Sequence, residues 1–356
     1  MRISRENGIY AVYGGLFLGG GGGGSLKDGL HSLEEALKHT DHINFVTLSE
    51  LDDDDIIVTA SMVGAPSSSE KFVDVEHWKM VYELFEKNTQ IKIKGIITNE
   101  NGGTSTTNGW ILSAITNIPV IDAPCNGRAH PTGTMGSMGL TSIENYRTVQ
   151  IAAGGRDNKN TELLATGSIS STSKLVRQAA VEAGGLVCVL RNPVKKAYVE
   201  QKGASGALKQ AIEIGEVIYK NMGSADIILE SLSEMLDSQV ICRGKVKECN
   251  LTSTDGFDVG HFYIEEEGIL FETIFWNEYM TVESSENRLA TFPNLIVTLD
   301  SDTGMPVTSA EIGTGQDIIL LKVPKNKIKL GGGMFEKNLF VEAEKVTGKE
   351  IIKYSF

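Results

Sequence analysis

An apolar strand that runs straight into a polar, glycine-containing turn decides the fold. It reads Ile93-Lys94-Gly95-Ile96-Ile97-Thr98-Asn99-Glu100-Asn101-Gly102-Gly103. Similar apolar runs occupy residues 43–47, 56–63 and 119–122, and helical periodicity occupies residues 26–37, 75–86 and 107–116 around them. Strands that alternate with helices are typical of an α/β layer with a mostly parallel sheet. We therefore predict an α/β amino-terminal domain with such a sheet.

The pattern changes after about residue 237. Helical periodicity nearly disappears there, and short runs at 240–249, 261–265, 269–276 and 295–300 have the composition and flanking turns of strands. We predict a β-rich carboxyl-terminal domain over residues 237–356 and assign residues 1–236 to the α/β domain. A boundary near residues 158–161 stays open as an alternative.

Length and composition limit the classes of protein to which the chain can belong. With 356 residues, 41% apolar and 22% charged, it is globular and long enough for two domains. Asp and Glu outnumber Lys and Arg by 46 to 33, and the net charge of -13 argues against nucleic acid as a partner. The apolar stretch at residues 9–18 is too short to span a membrane. The four cysteines form no CxxC pair. We predict a cytoplasmic protein without membrane or nucleic-acid partners, and homo-oligomerisation stays open.

The most unusual feature is a run of six glycines, Gly19–Gly24, followed by Ser25 as a natural N-cap. Glycine costs conformational entropy, so the run needs a reason. One reason is a backbone that approaches a ligand just before a helix whose positive end favours an anion or a polarised carbonyl. The alternative is a flexible connection between two helices. On the first interpretation Gly21, Gly22, Gly23, Gly24 and Ser25 contact the substrate.

Three polar turns follow predicted strands and supply further candidates. Turns at the carboxyl ends of parallel strands lie on one edge of a sheet, where open α/β proteins bind ligands. We therefore predict an active site at this edge, whose candidates are Gly64, Ala65, Glu100, Gly102, Gly103, Asp122, Cys125, Arg128 and His130. Each of these residues alone is equally compatible with a structural role, such as a helix cap or a loop brace. Asn277 and Glu278 follow Phe275-Trp276 and are further candidates, which would line a cleft between the domains; the alternative is that the pair only ends a strand.

Asp122, Cys125 and His130 suggest a zinc site with an open position, where Glu100 would act as general base on a bound water. Their spacing, D-x-x-C-x-x-x-x-H, matches no standard zinc motif. A divalent metal such as zinc is therefore one hypothesis for the site, and metal-free chemistry is the other.

The order of the motifs resembles one family, the S-methyl-thiohydantoin desulfurase-like proteins, also labelled hydantoinase-like. In the first half these are the glycine run, Gly64-Ala65-Pro66, Glu100-Asn101-Gly102-Gly103, Asp122 and Gly127-Arg128-Ala129. In the second half they are Arg243-Gly244-Lys245-Val246, Gly256-Phe257, Asn277-Glu278, Ala290-Thr291, Phe292-Pro293-Asn294-Leu295-Ile296, Asp300 and Thr303-Gly304. The chain departs from the usual pattern at Ser105, Pro124 and His130, where the family commonly has asparagine, an acidic residue and phenylalanine.

The resemblance implies a two-domain protein, α/β followed by mostly β, and hydrolysis of a small hydantoin- or thiohydantoin-like cyclic amide. In this interpretation the glycine run holds the carbonyl or developing oxyanion, Arg128 orients a substrate carboxylate or ring oxygen, and Asn277 contacts the substrate. Glu100 or Asp122 activates water, and His130 protonates the leaving group or binds a metal. The alternative is a non-catalytic subunit or small-molecule binding protein that works with a hydantoinase- or oxoprolinase-type enzyme.

Overall fold

The computed structural model of the chain describes residues 2–64, 68–254, 256–285 and 287–356. Within these residues the first sheet has eight strands, in the order β1-β2-β5-β4-β3-β8-β6-β7. Their bounds are β1 Arg2–Ile3, β2 Ile43–Val46, β3 Ile56–Gly64, β4 Ile93–Thr98, β5 Val120–Ile121, β6 Thr148–Gly154, β7 Thr161–Gly167 and β8 Leu186–Lys195. The α/β character predicted for this part of the chain is confirmed.

The prediction of a mostly parallel sheet needs correction, because the sheet is mixed. The pairs β2–β5, β5–β4 and β4–β3 are parallel, whereas β1–β2, β3–β8, β8–β6 and β6–β7 are antiparallel. The connection from β6 to β7 covers only residues 155–160 and begins at Gly155, with φ of +82°. So short a connection allows an antiparallel hairpin but not the crossover that parallel strands need.

Ten α-helices accompany the sheets in the described part of the chain. They are α1 Arg5–Leu18, α2 Leu26–Leu37, α3 Val75–Thr89, α4 Trp110–Thr116, α5 Ile169–Glu182, α6 Lys196–Lys202, α7 Ala207–Lys220, α8 Ala225–Leu236, α9 Lys337–Thr347 and α10 Ile352–Ser355. The predicted N-cap of α2 is confirmed, since the Ser25 hydroxyl accepts a hydrogen bond from Asp28 N at 3.1 Å. No helix in these ranges has both the length and the apolar character needed to cross a membrane.

The second sheet is antiparallel throughout, as expected for a β-rich carboxyl-terminal part. Its order is β13-β12-β11-β10-β9-β16-β14-β15. The strands are β9 Gln239–Thr254, β10 Phe257–Glu266, β11 Ile269–Trp276, β12 Glu278–Ser284, β13 Asn287–Thr291, β14 Leu295–Asp300, β15 Pro306–Val307 and β16 Asp317–Val323.

Helices α1 and α7 join the two sheets. Tyr10 and Leu208 belong to the core of the first sheet, whereas Phe17 and Ile218 pack with β14 and β16 of the second. The helices touch at Gly14, where a β carbon would lie 1.7 Å from the carbonyl oxygen of Ala211. A larger residue would push them apart. The carboxyl end of α1 is therefore fixed between the sheets, and the glycine run starts there.

Candidate active site

A cavity of about 500 Å³ opens beside the carboxyl ends of β3 and β4. Its wall includes Gly23 and Gly24 of the glycine run, residues 62–64 at the end of β3, residues 99–100 and 104–105 after β4, and residues 130–133. The second sheet contributes Asn277 and Glu278. Cavities of roughly 300–1,000 Å³ are typical of small-molecule sites. The end of β3 and the segments that follow β4 and β5 therefore meet here with the first residue of β12.

Glu100 lies at the centre of the hydrogen bonds on one wall. Its Oε1 accepts from the Ser105 hydroxyl at 2.9 Å, and its Oε2 accepts from His130 N at 3.0 Å. The Nε2 atom of His130 lies 3.3 Å from the same Oε2. Ser105 and His130 are two of the three positions at which this chain departs from the family pattern. Both departures therefore contact one carboxylate.

The His130 side chain is buried and lies against the cavity. Burial lowers its pKa below the ordinary value, although the charge of Glu100 acts in the opposite direction. The ring is therefore neutral near pH 7, and Nε2 carries the proton when it donates to Glu100 or to the Asn99 carbonyl at 3.4 Å. In that tautomer Nδ1 is an acceptor, and it has no hydrogen-bond partner among the described residues.

Glu278 brings a second buried carboxyl group to the cavity. Burial raises its pKa well above the ordinary value, and the charge of Glu100 raises it further, against the opposing effect of Arg128 and Arg177. Glu278 is therefore protonated at a pH where ordinary carboxyls are ionised. Its Oε2 atom is buried and has no hydrogen-bond partner within the described ranges. A protonated acid thus lies near the Glu100 carboxylate, a pairing that suits acid–base chemistry.

Two arginines on the wall were not among the predicted residues. Arg191, on β8, is 3% exposed, and its Nε has no hydrogen-bond partner among the residues described. Arg177, on α5, donates to Gly256 O at 2.7 Å, and its guanidinium lies 4.0 Å from the centre of the Phe257 ring. The signal missed for Arg191 is an arginine directly after the apolar run of residues 186–190. Nothing in the sequence marks Arg177 among other helical arginines.

The glycine run divides its contacts between the cavity and the second sheet. Gly23 and Gly24, with φ of +74° and +86°, line the main cavity. The carbonyl of Gly20 accepts from Tyr279 N at 2.7 Å, and that of Gly21 accepts from Ser309 N at 2.8 Å. Gly20 and Gly21 therefore join the two parts of the chain, a role that the sequence pattern does not predict.

The remaining predicted contact residues lie around this run. Gly21, Gly22 and Ser25 line a smaller cavity of about 180 Å³, which shares Gly24 and Asn277 with the main one. Gly102 and Gly103 pack directly against Gly23 and Gly24, so that a β carbon on Gly102 would lie 2.4 Å from the Gly23 α carbon. Gly64 lines the main cavity. Ala65 lies outside the described residues.

Asp122 and Arg128 are not part of the cavity wall. Asp122 Oδ1 accepts from the backbone N–H groups of Leu208 and Lys209 at 2.9 and 3.2 Å, which caps α7. Arg128 is fully buried, and its guanidinium donates to Ala129 O, Pro293 O and Asn294 O. The structure thus gathers Glu100 and His130 but gives Asp122 and Arg128 backbone partners.

The three residues suggested for zinc have separate environments. Asp122 caps α7, Cys125 Sγ lies 3.2 Å from the Thr59 hydroxyl, and His130 contacts Glu100. Burial raises the pKa of the Cys125 thiol to about 11, which disfavours the thiolate that zinc binds. In the described part of the chain, no three His, Cys, Asp or Glu side chains are grouped to hold a metal. The zinc site stays a prediction.

Comparisons with known proteins agree with the fold. A crystal structure of a protein from Chromobacterium violaceum superposes with a TM-score of 0.75 at 16% identity, over 97% of each chain. At that identity the likeness shows the fold alone. No curated protein sequence matches the chain.

Two family models cover most of the sequence. The model of the S-Me-THD-like N-terminal domain matches residues 10–166, and that of the S-Me-THD-like C-terminal domain matches residues 168–329. Strand β8 lies in the second segment but hydrogen-bonds to β3 and β6 of the first. The division at residues 236 and 237 stays a prediction. Because the matched segments span nearly the whole chain, it belongs to the S-Me-THD-like family, the S-methyl-thiohydantoin desulfurase-like family whose motifs the sequence carries.

Proposed function

We propose that the protein is a hydrolase of a small hydantoin- or thiohydantoin-like cyclic amide. The observation that carries the proposal is the pair of buried carboxyl groups, Glu100 and Glu278, on one cavity, with the pKa of Glu278 raised by burial and by Glu100. A buried carboxyl group with a raised pKa beside a second carboxyl group is the usual arrangement for a general acid and a general base. Membership of the S-Me-THD-like family is consistent with this chemistry.

In the proposed reaction Glu100 takes a proton from water as the water oxygen attacks a ring carbon. The bond from that carbon to its sulfur substituent or ring nitrogen then breaks. Glu278 gives its proton to the leaving atom, so that one carboxyl gains the proton that the other loses. The neutral His130 ring orients Glu100 through Nε2.

The ring oxygens need donors while negative charge develops on them. The backbone of Gly23 and Gly24 and the buried Nε of Arg191 are the donors that we assign to this role. Asn277, which lines the same cavity, is the further contact to the ring. Asp122 and Arg128 have structural roles outside the cavity: Asp122 caps α7, and Arg128 binds the backbone carbonyls of residues 293–294.

Turnover of hydantoin and of an S-methyl-thiohydantoin by the purified chain tests the proposal, with ring loss followed by ultraviolet absorbance and thiol release by a colorimetric reagent. We expect Glu100→Gln and Glu278→Gln each to lower kcat by about 10²–10⁴-fold. The exposed Glu162→Gln is the matched control. Saturable ring binding without turnover by the wild type would instead support the alternative of a binding subunit for a hydantoinase- or oxoprolinase-type enzyme.

A zinc-assisted form of the reaction is a separate proposal. It rests on the donor atoms of Asp122, Cys125 and His130 and requires them to move together from their present partners. Metal analysis of protein purified without added metal tests it. Stoichiometric zinc that is lost in Cys125→Ala would support the metal, and full turnover by metal-free protein would exclude it.

A further inference from the structure

The main cavity is elongated along the β3–β8 pair. Thr59 pairs with Arg191 at one end, and Gly64 pairs with Leu186 at the other. Five residues of extended strand span roughly 16 Å, at about 3.3 Å per residue. Because Arg191, Gly64 and Leu186 all line the cavity, it extends well beyond the reach of a single five-membered ring.

The two ends differ in chemistry. Glu100, His130 and Arg191 belong to the polar end, whereas Met62, Val63, Phe72 and Leu186 line the far end. The Phe72 carbonyl accepts from Gly155 N at 2.9 Å, and the Ser68 hydroxyl donates to Gly184 O at 2.8 Å. These two contacts fix the segment of Phe72 beside the turn that leads into Leu186. Trp78, Ile111 and Val176 are further apolar residues that line the cavity.

We propose that the substrate carries an uncharged, apolar group of about aryl size, which lies between Phe72 and Leu186 while its ring lies at Glu100 and Glu278. The ring part of this inference rests on the proposed function. The apolar part of the inference rests on the apolar residues of the wall and on the cavity volume of about 500 Å³. Cavities that bind drug-sized molecules have volumes of roughly 300–1,000 Å³.

Charge at the cavity favours an apolar group over an acidic one. Arg177 is the cation at the far end, and it already donates to Gly256 O and Gly64 O while stacking on Phe257. Lys71 is paired with Asp28 at 2.7 Å. The carboxylates of Glu35 and Asp74 also line the cavity. An acidic substituent would meet these carboxylates and would compete with carbonyls for Arg177.

Equilibrium binding of four probes to the slow Glu100→Gln variant tests the inference: hydantoin, 5-benzylhydantoin, hydantoin-5-acetic acid and the acyclic N-acetylphenylalaninamide. We expect 5-benzylhydantoin to bind at least tenfold more tightly than hydantoin or the acid. Equal or tighter binding of hydantoin or of the acid would overturn the inference and leave the proposed function intact. Binding of the acyclic aryl probe alone would keep the apolar site and overturn the ring hydrolase. Binding of no probe would overturn both.

Variants at Phe72, made in the same Glu100→Gln background, locate the apolar group. Phe72 is half-buried, so Phe72→Ala should fold, and Phe72→Leu retains most of the apolar surface. We expect Phe72→Ala to weaken 5-benzylhydantoin about tenfold and hydantoin less than twofold, since an aromatic contact of this kind contributes about that factor. The affinity of Phe72→Leu for 5-benzylhydantoin should lie between those of Phe72→Ala and of the protein with Phe72. Phe335→Ala, at a residue 61% exposed and outside the cavity, is the matched control. Equal weakening of both ligands would overturn this placement.

Discussion

The carboxyl group of Glu278 lies directly against the α carbon of Gly22, so that a β carbon there would lie 2.0 Å from Oε1. This contact joins the glycine run of the first domain to the first residue of β12. It explains why the run matters to the site even where it does not line the main cavity. The glycine leaves space for the acid.

Gly22→Ala should therefore displace the Glu278 carboxyl group. The φ of Gly22 is not positive, so alanine is allowed there and the clash with the carboxyl is the main effect. We expect turnover to fall at least tenfold, with about 1–3 kcal/mol lost from the free energy of unfolding. Gly313→Ala, where a β carbon meets nothing within 4 Å, is the control. Normal turnover by Gly22→Ala would contradict the placement of Glu278.

Gly21→Val should instead damage the junction between the domains. Gly21 has φ of +95°, and a β carbon there would lie 2.9 Å from the Tyr279 ring. A β-branched residue does not adopt that backbone conformation cheaply. We expect a larger loss of unfolding free energy than in Gly22→Ala, measured by urea denaturation. An unchanged urea midpoint would mean that the run only connects α1 to α2.

Glu278→Gln should stabilise the fold increasingly as the pH rises. The folded pKa of Glu278 lies well above its ordinary value of 4.5 because of burial and of Glu100. Between these two values the unfolded chain has released a proton that the folded chain retains, so wild-type stability falls as pH increases. The fall is about 1.4 kcal/mol for each pH unit in that window. Glutamine removes this dependence.

Urea unfolding of wild type and Glu278→Gln at pH 5 and pH 8 measures the effect. The difference in unfolding free energy between the two proteins should grow in favour of the variant at pH 8. The exposed Glu162→Gln should show no such trend. A constant difference across this range would mean that Glu278 ionises like an ordinary carboxyl.

His130→Phe should remove turnover and reduce the sensitivity of the fold to acid. Burial lowers the pKa of the His130 ring below its ordinary value of 6.5, so the unfolded chain binds a proton first as pH falls. Wild-type stability is therefore lost below about pH 6.5, and phenylalanine does not share that loss. Urea midpoints at pH 7 and pH 5, with exposed His39→Phe as control, measure the difference. Full turnover by His130→Phe would mean that His130 only packs against its neighbours and has no role in the reaction.

Arg128→Lys should cost stability more than ring affinity. The guanidinium donates to Ala129 O, Pro293 O and Asn294 O and lies 4.5 Å from the centre of the Phe292 ring. Lysine cannot make this planar set of contacts. We expect a loss of about 1–3 kcal/mol for each carbonyl left without its donor, against little change for exposed Arg147→Lys. Unchanged stability together with weakened ring binding would mean that Arg128 contacts the substrate, as the sequence analysis predicts.

The local elements of the fold are largely determined by sequence pattern. The predicted strands at 43–47, 56–63 and 93–98 agree with β2, β3 and β4 to within one residue at each end. A buried strand needs a continuous run of apolar side chains, and such a run is visible in the sequence. The N-cap at Ser25 followed from the same local chemistry. The direction of the strands cannot be predicted from these local patterns. The antiparallel pairing of β8 with β3 depends on where the chain re-enters the sheet after α5.

The sequence by itself also predicts that Glu100 and His130 lie in polar segments that follow buried strands, which makes both of them candidates for the site. Only the tertiary structure decided that Asp122 turns toward α7, that Arg128 binds the carbonyls of residues 293–294, and that Arg191 and Glu278 reach the same cavity. The direction and protonation of a buried side chain depend on partners far away in the chain, whereas the strand and turn that carry it depend on its immediate neighbours.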